Sequence, residues 1–459
     1  MESAWRIPDW DQMYDAIMAV EQNTPKVHAW KVPFYKGYNY ICSSKHRELD
    51  QVQKCVDNAS RILIQEWRRL PHIVSAVHVD YLHAAHQVME LNEAGQLHLA
   101  VFNGNVPPPS GSVGSSGHER TAPVDLRSVI KTWKNRLPVV SDDLSRWSDI
   151  FTWRQHHYQT LLQRYEGEMS RPGNSTASQN SLVGSHASAQ SLIHYAKIAR
   201  KHSLTSVCLD SLNRIHTIPR VPIIDCFQKI RQQLKCYLFM HQMKPNSDDL
   251  QEGLKVIEST HLRFFQREMI SEFYALRGQF LAKTGQFDEA NKTFSVAVQI
   301  LDTIVPPWAA WGDYYDTQFS ESETPYEKRN LTFCAAAIVS YLHACRFQNE
   351  IKARKYLSKV IWFLSYDDET HSLARVVDKY SNGVPAFNWL PWVSQVLTCL
   401  SRSEGDYMGN LAQSISKIYP QAMYYPARAI FLSYRMEVRE IKNKRSTVLN
   451  SKFFRVAKT

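Results

Sequence analysis

Along most of the chain apolar residues recur every three or four positions, the period of a helix with one buried face. Phe227, Ile230, Leu234, Tyr237 and Leu238 form one such stripe; Ala353, Tyr356, Leu357, Val360, Ile361 and Leu364 form a denser one. Leu411, Ile415 and Ile418 make a shorter stripe. Pro420, which has no backbone N–H to donate, should end it. Strand-type alternation is rare, so the pattern predicts an all-α chain of helices joined by short breakers.

Two stretches depart from the pattern. Residues 103–122 contain Pro107, Pro108 and Pro109 followed by a Gly/Ser run, and residues 170–189 are rich in Ser, Gly and Asn. Neither offers enough apolar surface to offset its ordering entropy, so both are expected to be mobile loops. The organisation expected is therefore helical repeats over 1–102, a loop over 103–122, helices over 123–169, a loop over 170–189, and helical repeats over 190–440. A basic tail follows at 441–459. Gly111, Gly114 and Gly117 do not form a phosphate cradle, because no strand leads into them and no Lys-Ser/Thr follows.

A repeat narrows the fold further. Tyr274-x-x-Arg277-Gly278-x-x-Leu281 is followed by Ala290-x-x-x-Phe294-x-x-Ala297. This is the spacing of a tetratricopeptide-like helix pair, in which small residues let two helices approach and an aromatic ring fills the gap. A second first-helix pattern, Trp308-x-x-Trp311-Gly312-x-x-Tyr315, precedes a delayed Ala337-x-x-x-Tyr341-x-x-Ala344. The polar segment from Ser320 to Pro325 can absorb the delay. Two successive pairs, at 274–297 and 308–344, point to an α-solenoid of antiparallel helix pairs.

Composition agrees with a folded chain: 44% of residues are hydrophobic, and 12 Trp and 22 Tyr are too many for a disordered one. The formal charge of +10 is uneven, since the last 25 residues hold eight Lys and Arg against two Glu. The basic excess therefore argues for a solvated tail, with Lys442, Lys444 and Arg445 only a weak cluster, and not for a nucleic-acid groove. The eight cysteines include no Cys-x-x-Cys. No apolar run is long enough for a membrane span, and the start of the chain shows no secretory signal, so reduced thiols in cytosol or nucleus are expected.

Enzyme signatures are missing. There is no kinase set of Gly-rich loop, His-Arg-Asp and Asp-Phe-Gly, no Gly-x-Ser-x-Gly elbow and no His-Glu-x-x-His helix. His78, His83 and His86 cluster without further ligands, and His156 and His157 point to different sides of a helix; both groups are expected to be structural. Asp142-Asp143 and Asp367-Asp368-Glu369 are expected to serve helix N-termini. Trp308, Trp311, Trp389 and Trp392 are expected to pack between helices. No catalytic, cofactor-binding or metal-ligating residue is therefore expected, and partner-binding residues stay unassigned.

Longer peptides carry a resemblance. The run from Lys131 to Trp147 (KTWKNRLPVVSDDLSRW) continues to Trp153-Arg-Gln-His-His-Tyr158. It is joined by Arg214-Ile-His-Thr-Ile-Pro219, Trp311-Gly-Asp-Tyr314, Tyr341-Leu-His-Ala-Cys-Arg346 and Tyr419-Pro-Gln-Ala-Met-Tyr-Tyr-Pro426. Together they resemble the FAT region of the non-catalytic branch of the phosphatidylinositol 3-kinase-related kinase family, from about Trp5 to about Glu440. The resemblance implies an α-solenoid in a large nuclear scaffold subunit of histone acetyltransferase complexes (SAGA, NuA4/TIP60), with other subunits and transcriptional activators as partners. No cofactor, direct nucleic-acid contact or membrane is implied. The family's N-terminal repeats and kinase-like domain lie outside this sequence, so a fragment, a truncated gene model or a short isoform is expected. Two other readings stay open: a regulatory FAT fragment of an active kinase of that family, and a helical-repeat RNA-binding module.

Overall fold

A computed structural model describes residues 2–21, 29–102, 126–169, 175–245, 248–321, 329–347, 350–402 and 404–440. The expected loop at 103–122 and the basic tail at 441–459 lie outside these. Among the described residues every regular element is a helix or a short 3-10 turn, and there is no strand. The chain divides into two compact units, Met1–Phe239 and Met240–Thr459.

The first unit holds α1 (Glu2–Arg6), α2 (Trp10–Glu21), α3 (Lys31–Cys42), α4 (Leu49–Trp67), α5 (Ala76–Phe102) and α6 (Leu126–Asn135). They are followed by α7 (Leu144–Met169), α8 (Ser175–Lys201), α9 (Thr205–Asn213) and α10 (Ile223–Met243), whose last turn crosses the division. Most helices adjacent in sequence pack on one another, while α6 lies on α5 and α8. At one end of the α4–α5 hairpin Val52 presses on Gly95; at the other Trp67 meets His78, which makes the pair antiparallel. Helix α3 lies against both, since a β-carbon added to Gly37 would fall 2.8 Å from Leu91 and 3.4 Å from Cys55.

One expectation fails here. Residues 170–174 lie outside the description, but from Ser175 onward the stretch read as a mobile loop is the first half of α8. Its small residues are the reason it folds. Ser181, Ser185, Ala187, Ser188 and Ala189 are all buried. Their hydroxyls find acceptors: Ser188 Oγ donates to Gln155 Oε1 of α7 at 2.7 Å and Ser185 Oγ to the Pro219 carbonyl at 2.8 Å. Few large apolar side chains are needed when small ones let two helices close, and Ser costs a helix only a few tenths of a kcal/mol.

The second unit holds α11 (Asp249–Ser259), α12 (Arg267–Lys283), α13 (Phe287–Ile300), α14 (Val305–Ser320) and α15 (Leu331–Arg346). Then come α16 (Glu350–Phe363), α17 (Ser372–Ser381), α18 (Ala386–Trp389), α19 (Val393–Cys399), α20 (Gly405–Ile418) and α21 (Pro420–Glu440). Both repeats read from the sequence are antiparallel pairs, α12 with α13 and α14 with α15. In the first, the Phe294 ring sits on Gly278, where a β-carbon would fall 2.8 Å from it; in the second, Tyr341 sits on Gly312 at 2.6 Å. Phe280 occupies Gly253 of α11 in the same way. Ala290, Phe294 and Ala297 are fully buried, and Ser271 Oγ ties α12 to the Ala297 carbonyl at 2.6 Å. The stripe on α16 and, from α20, Leu411 and Ile415 enter one core with α15, α17 and α19; Ile418, the last member of the α20 stripe, is exposed instead, and α20 stops there, two residues before Pro420, which opens α21. The protein is thus an all-α helical-repeat chain.

Ala290→Leu should overpack the Gly278–Phe294 contact and cost about 1–3 kcal/mol, as should Gly312→Val against Tyr341. Chemical denaturation monitored by circular dichroism measures this; unchanged midpoints would show that these pairs do not close as described.

Candidate functional site

The densest polar chemistry lies inside the first unit, between α5, α6 and α7. Arg154 of α7 is buried and forks onto Glu90 of α5, with Nε 3.1 Å from Oε2 and its other nitrogen on Oε1. The same guanidinium donates to the Arg136 carbonyl at 2.9 Å, and His86 bonds Glu90 at 2.9 Å. One turn along α5, Glu93 accepts both arms of Arg136 at 2.9 Å and the Trp133 indole N–H at 2.7 Å. Burial alone would raise the Glu90 carboxyl, but the His86 hydrogen bond and the Arg154 charge outweigh it and hold it below the usual range. The carboxylate stays ionised and fully bonded, so it is a clamp and not a proton carrier.

Beside this clamp rings stack on rings. Trp153 lies between Trp5 (4.4 Å) and Tyr38 (3.6 Å), and His157 lies 4.9 Å from Tyr38 and 5.5 Å from His98. His98 and His157 are buried, and neither ring nitrogen of either meets a partner among the described residues. Burial, then the nearby Arg47 charge, pushes His98 down to about 3, and burial moves His157 the same way. Burial also lowers His156 to about 4, although its Nε2 bonds the Trp5 carbonyl at 2.9 Å. These imidazoles are neutral packing rings.

Most of the other residues singled out in the sequence are held by packing or hydrogen bonds, although the indole N–H groups of the buried Trp389 and half-buried Trp392 meet no acceptor among the described residues. His78 accepts from the Ser75 N–H at 3.1 Å and bonds the Pro71 carbonyl at 3.0 Å, and His83 meets Gln87 at 3.2 Å. Asp143 accepts from the Ser145 N–H and so opens α7, while Asp142 accepts from the Val139 N–H. Asp367 accepts from the N–H groups of Leu373 and Ala374, and Asp368 from that of Ser372, so both cap α17. His371, just before that helix, stands in the left-handed region (φ 54°). Trp389 is buried; Trp308 and Trp311 are half-buried, stacked on each other at 5.9 Å, with Trp308 also on His343 at 4.3 Å. Their indoles donate to the Asp302 carbonyl and to Asn291 Oδ1. No disulfide joins the cysteines, and seven are buried; burial raises the Cys42 thiol to about 12, far from a reactive thiolate.

Two absences concern the described residues only. They contain no group of three His, Cys, Asp or Glu placed to hold a metal ion, and no helix long and apolar enough to cross a membrane. A pocket of about 310 Å³ opens beside Trp5, Trp30, Phe34 and Trp153. Four of its charged neighbours are paired, Arg6 with Asp149 (3.1 Å) and Arg146 with Asp80 (2.8 Å). Lys31 and His83 also line it, and burial lowers His83 to about 4. The Glu90–Arg154 and Glu93–Arg136 pairs went unread in the sequence, because 64 and 43 residues separate their partners.

These features define a helical scaffold whose titratable groups hold helices together. A FAT domain model matches residues 1–362, and the chain belongs to the FAT domain family. It is 49% identical over 440 residues to the mouse "Transformation/transcription domain-associated protein" and 48% identical over 451 residues to the human protein of that name. It is 31% identical over 437 residues to the "SAGA complex/NuA4 acetyltransferase complex subunit TRA1" of Saccharomyces cerevisiae. These alignments cover 96%, 96% and 93% of this chain but only 16%, 11% and 11% of the respective relatives. The yeast relative's name is that of a complex subunit, not of an enzyme.

Two outcomes follow. Arg154→Leu leaves Glu90 buried without its cation and should cost about 3–5 kcal/mol, while the double change with Glu90→Leu should recover much of the loss. Denaturation midpoints of the singles and the double decide it; a mild single change would show the pair to be solvated. The histidines set a pH dependence. His98 titrates at 6.5 in its ordinary state and at about 3 here, so between those values protons bind only the unfolded chain. Stability is therefore full above about pH 6.5 and declines as pH falls towards 3. Midpoints measured across that window should fall less steeply for His98→Leu than for the parent; equal slopes would contradict the assignment.

Proposed function

We propose that the chain is a non-catalytic interaction scaffold that works in the nucleus by binding other proteins. Its assemblies are histone acetyltransferase coactivator complexes of the SAGA and NuA4 kind, and its partners are their other subunits and transcriptional activators. The observation that carries this reading is the commitment of the buried charged and aromatic groups to helix–helix contacts, with Glu90–Arg154 at the centre. The printed names of the mammalian and yeast relatives support the assembly named.

Phosphoryl transfer needs a lysine on the phosphates, carboxylates on Mg²⁺ and a residue orienting the nucleophile, each held beside one cleft. In the pocket beside Trp153 the two lining carboxylates, Asp149 and Asp80, are each held in an ion pair by an arginine, Arg6 and Arg146, which favours the scaffold over a catalytic role. Purification of the tagged chain from nuclear extract, followed by mass spectrometry, should recover acetyltransferase-complex subunits in stoichiometric amounts. Calorimetry of the purified chain with Mg-ATP should give no saturable heat. Recovery of a catalytic kinase subunit in place of acetyltransferase subunits would instead make the chain a regulatory FAT segment of an active kinase.

A further inference from the structure

The α4–α5 hairpin uses one flank to hold α3, through Leu91 and Cys55 against Gly37. Its other flank turns apolar side chains to water. Trp67 of α4 stands 5.3 Å from His78 of α5, edge to face, and Tyr81 donates to Glu66 at 2.8 Å; together these fix the two helices at that end. Leu82, Ala85 and Met89 follow His78 at four, seven and eleven residues, so they continue one stripe along α5 on the side Trp67 occupies. Ile64 lies one turn before Trp67 on α4. Exposure is high along the stripe: Ile64 54%, Trp67 42%, Leu82 57% and Met89 51%, with Ile73 at 83% and Val74 at 82% in the connection between the helices.

The border of this stripe is basic. Arg61, Arg68 and Arg69 are exposed, and none is in an ion pair among the described residues. The neighbouring acids, Glu66 and Asp57, accept from the uncharged Tyr81 and Gln53 and keep their charge, so the three arginines leave the border with an excess of positive charge over these two acids. An exposed apolar stripe on two adjoining helices with an arginine border complements a helix that has apolar residues on one face and carboxylates on its edges.

Size and composition discriminate among occupants. The stripe comprises a handful of side chains, well short of the roughly 20–30 residues a side of a standard stable interface, so a short segment fits it better than a second copy of the chain. The chain's own segment 103–125 contributes only Val106, Val113 and Val124 among large apolar residues, and makes poor cover. Exposed aliphatic side chains also suit a protein helix better than a nucleic acid, which needs aromatic platforms and phosphate contacts.

We propose that this flank is a docking surface for an acidic amphipathic helix of a partner protein. The partner's apolar residues lie along Ile64, Trp67, Leu82 and Met89, and its carboxylates meet Arg61, Arg68 and Arg69. The proposal rests on the scaffold reading above and adds the place and the partner chemistry.

The test uses the full chain and fluorescein-labelled synthetic peptides about five helical turns long. One peptide carries Leu and Phe at positions i, i+3, i+4 and i+7 with Glu and Asp between; a second replaces the acids with Lys; a third keeps the acids but scrambles the apolar spacing. Fluorescence anisotropy should show saturable binding of the first. Each control peptide should bind about tenfold more weakly or worse, and added salt should weaken the first. Leu82→Glu with Met89→Glu, and separately Arg61→Glu with Arg68→Glu, should each lower affinity by about tenfold or more. These positions are exposed, so unchanged helical circular dichroism should accompany the loss. Equal binding of the Lys peptide, parent-like affinity in both variants, or no saturation at about 1 mM would overturn the proposal. So would a chain dimer in sedimentation that the stripe variants convert to monomer, since a second copy would then be the occupant. Co-purification with acetyltransferase subunits is scored separately: if it persists without peptide binding, this surface fails and the scaffold reading stands.

Discussion

The seating of an aromatic ring directly on a glycine of the neighbouring helix sets how near two helices of a repeat can come. Phe294 on Gly278 and Tyr341 on Gly312 do this in two successive pairs, and Phe280 on Gly253 does it one helix earlier. A single amphipathic helix cannot cover its own apolar face; stacking with its neighbours in sequence covers it. Once the ring is seated, the alanines at 290 and 297 and the Ser271–Ala297 hydrogen bond close the first pair. In the second, Tyr341 also donates to Asp313 at 2.8 Å, while Asp316 takes an ion pair from Lys359 of α16 at 2.9 Å. One contact thus joins packing within a pair to the placement of the next helix.

The first unit meets the same constraint with different chemistry. Its helices are longer, and α7 turns polar as well as aromatic groups inward. Arg154 would be costly to bury alone, and so would Glu90; together with His86 and the Arg136 carbonyl they satisfy one another. Such a network stabilises little compared with an apolar replacement of the same volume, but it accepts only one register of α7 against α5. The peptide from Lys131 to Tyr158 that carries the family resemblance is largely spent here: Trp133, Arg136, Trp153, Arg154, His157 and Tyr158 all face inward contacts.

Much of the fold was legible in the sequence because periodicity and close-packing spacings are local. The stripes on α10, α16 and α20 and both glycine–aromatic repeats needed only intervals of three to seventeen or about thirty residues to be read. What local reasoning missed was of three kinds. The start of α8 reads as a loop because Ser, Gly and Asn commonly mark loops; nothing local shows that the small residues face α7. The Glu90–Arg154 and Glu93–Arg136 pairs join residues far apart in sequence, and no interval announces them. The exposed stripe on α4 and α5 escaped for a third reason. Leu82, Ala85 and Met89 repeat at the same spacing as Ala84, Val88 and Leu91, so periodicity alone cannot say which face is buried.

The proposed scaffold role assigns partner binding to the outward faces, since the interior is committed to packing. The most direct measurement is hydrogen–deuterium exchange of the chain, free and reconstituted with purified acetyltransferase-complex subunits. The account predicts new protection confined to outward-facing helix segments, with the Gly278–Phe294 and Glu90–Arg154 regions equally protected in both states. Assembly that left every segment's exchange unchanged, or that required the core regions to open, would contradict it.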